Sequence, residues 1–305
     1  MFHPGELAVQ DAAGVRHIAA GHTKLLWSSI PARVVPFVTA QSYCVLGGVS
    51  ADGDAWAEFL VGTTGFATVT EDGASMTLSL SPGGLLHRQI DLSVGRQIGV
   101  LFVDLSTRKR LRVNGHIAAL SGRGLTLTVD QSFPNCPKYI QSRRLTTTDG
   151  LTDPQIVEKG TVLPDYASNW IAAADTFFVA STAPNGAADV SHRGGKPGFV
   201  RTQGQTLHIP DYHGNSMFST LGNFRLNPRA GLTFVDFETS RFLQLSGDVE
   251  LNLDSKGAMP AADDTGRSWT FHVRQYVMSP LAPGISAEFI NASPFNPAIV
   301  AVSTE

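Results

Sequence analysis

The sequence VDLST at residues 103–107 recurs as VDFET at residues 235–239, an offset of 132. Upstream, the pair Gly-Phe at 65–66 recurs at 198–199, an offset of 133. Because the spacing holds to within one residue, the sequence predicts a duplicated unit of about 130 residues, too long for a solenoid repeat and suited to a whole barrel or sandwich. Chance similarity between short β segments is the alternative.

Composition supports a turn-rich chain with two such units. The 305 residues suffice for about two domains, and the 30 glycines and 17 prolines favour short elements joined by many turns. We therefore predict a mainly β fold with short helices, arranged as two tandem domains over residues 1–150 and 151–305, each of them a barrel or a sandwich. An apolar repeat at helical spacing predicts an amphipathic helix over residues 6–20, lying against the first domain.

Charge and targeting features exclude several function classes. Lys and Arg number 23 against 26 Asp and Glu, a net charge of −3, which gives no general attraction to nucleic acid or acidic membranes. The strongly apolar runs are far shorter than a membrane helix, and the first residues lack a secretory pattern. The two cysteines, Cys44 and Cys136, match no zinc or redox motif and are expected to be reduced. We expect a soluble, cytoplasmic protein.

The two copies diverge where the second becomes basic. Residues 58–66 read EFLVGTTGF, whereas residues 191–199 read SHRGGKPGF. Arg193 and Lys196 replace neutral or apolar residues, beside glycines that let a ligand approach the backbone. This composition predicts an anion site, with a solvated basic loop as the alternative.

A second group of polar residues follows in the same copy. Residues 211–218 read DYHGNSMF, a glycine-bearing turn in which Asn215 and Ser216 are good helix starters. Free backbone N–H groups at a helix start can hold a phosphate. An ordinary capped helix is the alternative. The first copy has no clear equivalent, so we predict a phosphate site in the second copy alone.

Other polar residues suggest less. Asp104 and Asp236 begin a hairpin in both copies, and we interpret them as turn formers rather than acid catalysts. His208 and His213 flank a turn near Asp211, but their spacing matches no metal motif, and we predict no metal site. The sequence indicates no catalytic side chain.

The second copy resembles a known family. SHRGGKPGFV at 191–200, PDYHGN at 210–215, LGNF at 221–224 and NPR at 227–229 resemble the pyridoxamine 5'-phosphate oxidase-like FMN-binding split β-barrels, over about residues 165–255. The first copy resembles the second, degenerate barrel of the longer two-barrel members. The resemblance therefore implies two tandem split β-barrel domains. The resemblance implies a homodimer with FMN in a cleft between subunits. The residues it places near the ribityl chain, phosphate or ring edge are Ser191, His192, Arg193 and Lys196; those at the phosphate end are Tyr212, Asn215 and Ser216.

The resemblance predicts a flavoprotein, an oxidoreductase that passes electrons between the flavin and a small-molecule donor or acceptor. The phosphate end is less basic than in the pyridoxamine phosphate oxidases, and the sequence at 295–300 lacks their substrate-binding pattern, which argues against that substrate. Two alternatives remain at this stage: a non-catalytic flavin carrier or sensor, and a split barrel that binds haem or a deazaflavin.

Overall fold

The computed structural model describes residues 2–79, 89–122, 124–147, 156–239, 241–253, 265–280 and 285–299. Within these ranges the α-helices are α1 (Pro4–Ala12), α2 (Arg16–His22), α3 (Val35–Thr39), α4 (Asp165–Ala173) and α5 (Ser219–Leu226). The strands of the first half are β1 (Tyr43–Val49), β2 (Ala55–Val61), β3 (Ala67–Val69), β4 (Ser75–Ser79), β5 (Gln97–Asp104), β6 (Lys109–Ser121), β7 (Gly124–Pro134) and β8 (Ser142–Thr147). Those of the second half are β9 (Glu158–Gly160), β10 (Thr176–Thr182), β11 (Ala188–Gly194), β12 (Arg201–Gln203), β13 (Thr206–Pro210), β14 (Arg229–Asp236), β15 (Arg241–Asn252), β16 (Ser268–Pro280) and β17 (Ile285–Asn291).

The two halves form antiparallel sheets with one topology. The first sheet runs β2-β1-β5-β6-β7-β4-β3, and the second runs β11-β10-β14-β15-β16-β13-β12, with β9 added against β16. Each strand of the second sheet therefore occupies the same place as the strand of the first sheet whose number is nine lower, so that β10 corresponds to β1 and β14 to β5. The predicted fold class, mainly β with short helices and two tandem split β-barrels, is confirmed.

Local geometry also repeats between the barrels. Gly65 and Gly198 both have positive φ, 87° and 89°, a conformation that favours glycine. Asp104 accepts backbone N–H bonds from the second and third residues after it, and Asp236 does the same. The interpretation of these two aspartates as turn formers is confirmed.

Each barrel has its own apolar core, and a third core joins them. The first core contains Trp56 and Phe102, and the second contains Phe177 and Trp269. The joining core draws on β1, β2 and β5 of one barrel and β10, β11, β14 and β15 of the other; its members include Val45, Phe59, Leu101, Phe178, Val190 and Phe242. The barrels are therefore packed face to face by burial of apolar side chains.

The packing of the two barrels is reciprocal. A Cβ built on Gly99 would lie 3.0 Å from Cα of Asp189, and one built on Gly231 would lie 2.4 Å from Cα of Trp56. Gly99 corresponds to Gly231, and Trp56 corresponds to Asp189, at the offsets found in the sequence. The same contact thus occurs twice with the barrels exchanged, as in an isologous two-fold dimer.

The N-terminal helix departs from prediction. Val9 of α1 lies in the core of the second barrel, and Gln10 donates through Nε2 to the carbonyl oxygen of Met217 at 3.1 Å. The prediction that this helix lies against the first domain is wrong, because an apolar stripe shows that a helix is buried on one face but not which surface covers it. The single helix predicted over residues 6–20 is instead α1 and α2, separated at Gly14, whose φ is 67°.

The C-terminal strand also reaches across the chain. β17 pairs with β8, which follows the first barrel. The predicted domain boundary near residue 150 falls at residues 148–155, outside the described residues, and stays a prediction. Among the helices of the described ranges, none combines the length and apolar character required to span a bilayer.

Candidate functional site between the two barrels

A cavity of about 210 Å³ lies where the two barrels meet. The first barrel contributes Arg110 and Arg112 from β6, and the second contributes residues 191–194 of β11. The segment after β7, the loop between β13 and α5, and the junction of α1 with α2 complete the wall. Both barrels of a single chain therefore build one site.

Most of the residues predicted from sequence meet in this cavity. Its lining includes Ser191, His192, Arg193, Tyr212, Asn215 and Ser216. Lys196 is exposed and lies outside the lining. The cofactor-binding role of all seven stays a prediction, but six of them share one space.

A buried ion pair fixes one wall. Arg112 lies 2.6 Å from the carboxylate of Asp189, with both side chains about 5% exposed or less. Arg112 also donates to Oγ of Ser191, which is 3.0 Å from Oγ1 of Thr220 at the start of α5. Because the charge of Arg112 is compensated, this network chiefly holds β6, β11 and α5 in fixed relation.

A second ionic cluster in the cavity wall has more cations than carboxylates. Arg193 and Arg267 both contact Asp211, each at 3.0 Å and on different oxygens. The Arg267 guanidinium also stacks 5.0 Å above the Phe218 ring. Two cations share one carboxylate, so this side of the cavity carries excess positive charge.

Arg110 adds to that excess. It donates through Nη1 to the carbonyl oxygen of His192 at 3.2 Å, and its buried Nε has no hydrogen-bond partner. Within the described ranges no carboxylate lies within salt-bridge distance of Arg110. Burial, together with the charges of Arg112 and Arg193, lowers the pKa of Arg110 to about 9. A bound anion would relieve this cost.

His192 faces the same cations. Its side chain is 4% exposed, and neither ring nitrogen has a hydrogen-bond partner among the described residues. Burial and the charges of Arg110, Arg143 and Arg193 hold its pKa well below the usual value. The imidazole is therefore neutral near pH 7 and offers a ligand one donor and one acceptor.

Backbone strain concentrates around the cavity. Ser216, Phe218 and Tyr139 have φ of 60°, 61° and 67°, which is uncommon for residues other than glycine. All three line the cavity. Sparsely populated backbone conformations of this kind cluster at ligand sites, where the surrounding structure enforces them.

The loop before α5 corrects one prediction. The helix begins at Ser219, after Phe218, which makes no side-chain cap. Asn215 instead accepts the Met217 N–H through Oδ1 at 3.1 Å, so the predicted helix start at Asn215 and Ser216 is wrong. These residues form the turn that leads into the helix, and the Asn215 side chain bonds within the loop rather than to the first helical turn.

Sequence reasoning missed Arg110 and Arg112, which belong to the first barrel. A signal was present: at the offset of 132 they stand where the second barrel has Phe242 and Gln244. Arg193 was found as a basic residue of the second copy that replaces a neutral residue of the first. The same search for basic residues of the first copy would have found Arg110 and Arg112.

No protein-family model and no curated protein matches the chain. Solved structures match in part. HupZ of Group A Streptococcus is 15% identical, covering 43% of this chain and 99% of that one, with a TM-score of 0.30. A putative pyridoxamine 5'-phosphate oxidase from Lactobacillus delbrueckii is 8% identical, covering 38% of this chain and 93% of that one, with a TM-score of 0.32. HutZ, the heme storage protein from Vibrio cholerae, is 10% identical, covering 44% of this chain and 99% of that one, with a TM-score of 0.24.

Proposed function

We propose that the cavity between the barrels binds the phosphate-bearing end of FMN and that the chain is a flavin-dependent oxidoreductase. The observation that carries this is the pairing of Arg110, a cation without a carboxylate partner in the described chain, with the neutral imidazole of His192, whose ring nitrogens have no hydrogen-bond partner there. Buried polar groups in proteins are normally hydrogen-bonded, so such a pairing favours an anionic ligand with further polar atoms.

The residues present fit that group. Arg110 and Arg193 would hold the phosphate by charge-assisted hydrogen bonds, and the first N–H groups of α5, at Ser219 and Thr220, would add to them. His192 would bond a hydroxyl or ring atom. The cavity is smaller than the roughly 300 to 1,000 Å³ of whole small-molecule sites, so the phosphate and part of the ribityl chain would fill it and the ring would extend beyond it.

When bound, the flavin would supply the redox chemistry, exchanging electrons with a small-molecule donor or acceptor. The protein would bind and orient the flavin, and two ion pairs would support the binding residues. Arg112 and Asp189 hold the two barrel walls together, and Arg267 positions Asp211 and the loop that follows. Because both walls come from one chain, we propose one flavin per chain. The homodimer implied by the family resemblance stays a prediction.

Titration of the protein into FMN, followed by quenching of flavin fluorescence, tests this function. We expect saturation at one FMN per chain and much weaker binding of riboflavin, which lacks the phosphate. Arg110→Gln and Arg193→Gln should each weaken FMN binding at least about tenfold, since each removes a charge-assisted hydrogen bond.

Lys109→Gln is the matched control for Arg110→Gln, since Lys109 is the exposed neighbour on β6 and lies outside the cavity lining. Its FMN affinity should equal that of the original chain. Equal affinity for FMN and riboflavin, or no effect of either arginine substitution, would overturn the phosphate assignment. If FMN binds as expected, reduction of the bound flavin by candidate donors then tests turnover.

A further inference from the structure

Cys136 lies in the wall of the interbarrel cavity and plays no part in the proposed flavin site. It belongs to the segment between β7 and β8 and is partly exposed, whereas Cys44 is fully buried in the first core. The chain has these two cysteines only. Cys136 is therefore the thiol that a molecule entering the cavity would meet.

The surroundings of this thiol are cationic. Arg110 is close enough for its charge to interact with Cys136, and within the described chain it has no carboxylate partner. Arg193 and Arg267 share the single carboxylate of Asp211, and Lys138 also lines the cavity. Clefts lined by one sign of charge concentrate molecules of the opposite sign and accelerate their encounters by a factor of about 10 or more.

A separate observation shows that this part of the cavity is built to receive a ligand. Both ring nitrogens of His192 and the Oδ1 atom of Asn135, which precedes Cys136, are buried without hydrogen-bond partners in the described chain. Unsatisfied polar atoms of this kind call for a polar molecule in the space they line. Such a molecule would lie against the thiol.

We propose that Cys136 is a modification site for small anionic thiol-reactive compounds, in particular disulfides that carry carboxylates. In the reaction the Cys136 sulfur attacks one sulfur of the disulfide, a new S–S bond forms and the S–S bond of the reagent breaks. The electron pair leaves with the released thiolate, which is protonated, and the Cys136 proton passes to solvent. The cysteine is oxidised and the disulfide is reduced, so no other oxidant is needed.

The modified residue would hold a carboxylate beside Arg110. It would then occupy the place that we assign to the phosphate of FMN and would prevent flavin binding. This consequence rests on the proposed function, whereas the reactivity of Cys136 does not.

The test compares two disulfides that differ in charge, the dianionic dithiobis(nitrobenzoate) and the uncharged dithiodipyridine, on the full chain without flavin. The rate of thiol release gives each reaction, and mass spectrometry assigns the modified cysteine. We expect Cys136 to react while Cys44 does not. The rate ratio of anionic to neutral reagent should exceed that of a free-cysteine peptide by about tenfold.

Two further measurements isolate the cause. The preference should fall towards the peptide value in about 1 M salt, where the Debye length is near 3 Å, and this needs no variant. Arg110→Gln should lower the ratio several-fold, whereas Lys109→Gln, which removes an equal charge from the exposed neighbour, should leave it unchanged.

A ratio equal to that of the peptide at low salt, or modification of Cys44 at the same rate, would overturn the proposal. These outcomes are distinct from failure of the proposed function, which FMN titration of the unmodified chain measures alone. Loss of FMN binding after modification, with Cys136→Ser as a variant that cannot be modified, would connect the two.

Discussion

The cavity and its counterpart across the approximate two-fold axis have the same backbone and opposite chemistry. At the cavity, His192 of β11 and Arg110 of β6 leave an open, positively charged space. At the counterpart, the corresponding residues are Phe59 of β2 and Phe242 of β15, whose rings lie 4.7 Å apart in the joining core. One member of the pair closes the contact with apolar surface, and the other leaves it open at the place we propose for the ligand.

Neighbouring positions differ in the same sense. Arg112 pairs with Asp189 beside the cavity, whereas the corresponding Gln244 donates to the backbone carbonyl of Ala57 at 2.9 Å. Ser191 corresponds to Glu58, which is fully buried and accepts the Ile90 N–H at 3.0 Å. The duplicated fold thus stabilises the barrel contact at one site and leaves a charged cavity at the other, a division that a homodimer of identical barrels could not make.

The largest expected effect comes from moving the cavity chemistry to the closed site. Phe242→Arg should cost about 4 kcal/mol or more of stability, because it removes a buried ring and buries an uncompensated cation. Urea unfolding, or soluble yield if the chain does not fold, measures it. Phe242→Leu is the control and should cost far less stability. Equal losses of stability in the two variants would show that lost packing, and not the buried charge, causes the effect.

The reverse change should close the cavity. Arg110→Phe combined with His192→Phe copies the counterpart, and we expect FMN affinity to fall by about a hundredfold or more, since two ligand contacts are lost. Stability should stay equal or rise, because a partly buried cation without a carboxylate partner in the described chain is replaced by apolar surface. Flavin titration and thermal unfolding test both parts, and retained FMN binding would contradict the comparison.

A smaller effect concerns pH. The pKa of His192 is depressed in the folded chain, so below about pH 6.5 the unfolded chain binds a proton that the folded chain does not. Stability is therefore fully present above that pH and is lost as pH falls, by at most about 1.4 kcal/mol per pH unit from this group. His192→Phe should flatten the dependence measured by urea unfolding, and identical pH profiles would contradict the assignment.

The smallest effect should be equal on both sides. Asp104→Ala and Asp236→Ala each remove the side-chain acceptor of the same turn, at a cost of about 1 kcal/mol. Because these turns lie away from the cavity and repeat in both barrels, the two losses should agree and FMN affinity should not change. A clear difference between the two variants would show that the barrels are less equivalent than their strand order suggests.

The fold was largely predictable because its signals are local. The two sheets share one strand order, as the repeated segments at a constant offset predicted. The Asp-x-x-Thr turns and the repeat depend on short segments and fixed spacing. The position of α1 and the pairing of β8 with β17 were not predictable, because both join segments far apart in sequence whose partners no local pattern names.

Only the half of the candidate site that the second barrel contributes was predictable from the sequence. The contribution of β11 could be read from the basic residues beside glycine, whereas that of β6 required knowing that the two barrels meet face to face. Lys196 shows the limit of composition: its charge matched the pattern of an anion site, yet the chain turns after Gly194 and leaves it exposed, outside the cavity lining.

The docking of α1 on the second barrel has a consequence for synthesis on the ribosome. Val9 is made early, but the core that buries it is completed only when β16 has emerged. At roughly 5 to 20 residues per second this takes on the order of tens of seconds. During that interval the helix and the apolar face of the first barrel, with Val45 and Phe59, have no partner. A nascent chain therefore exposes apolar surface, of the kind that chaperones bind, until the second barrel is complete.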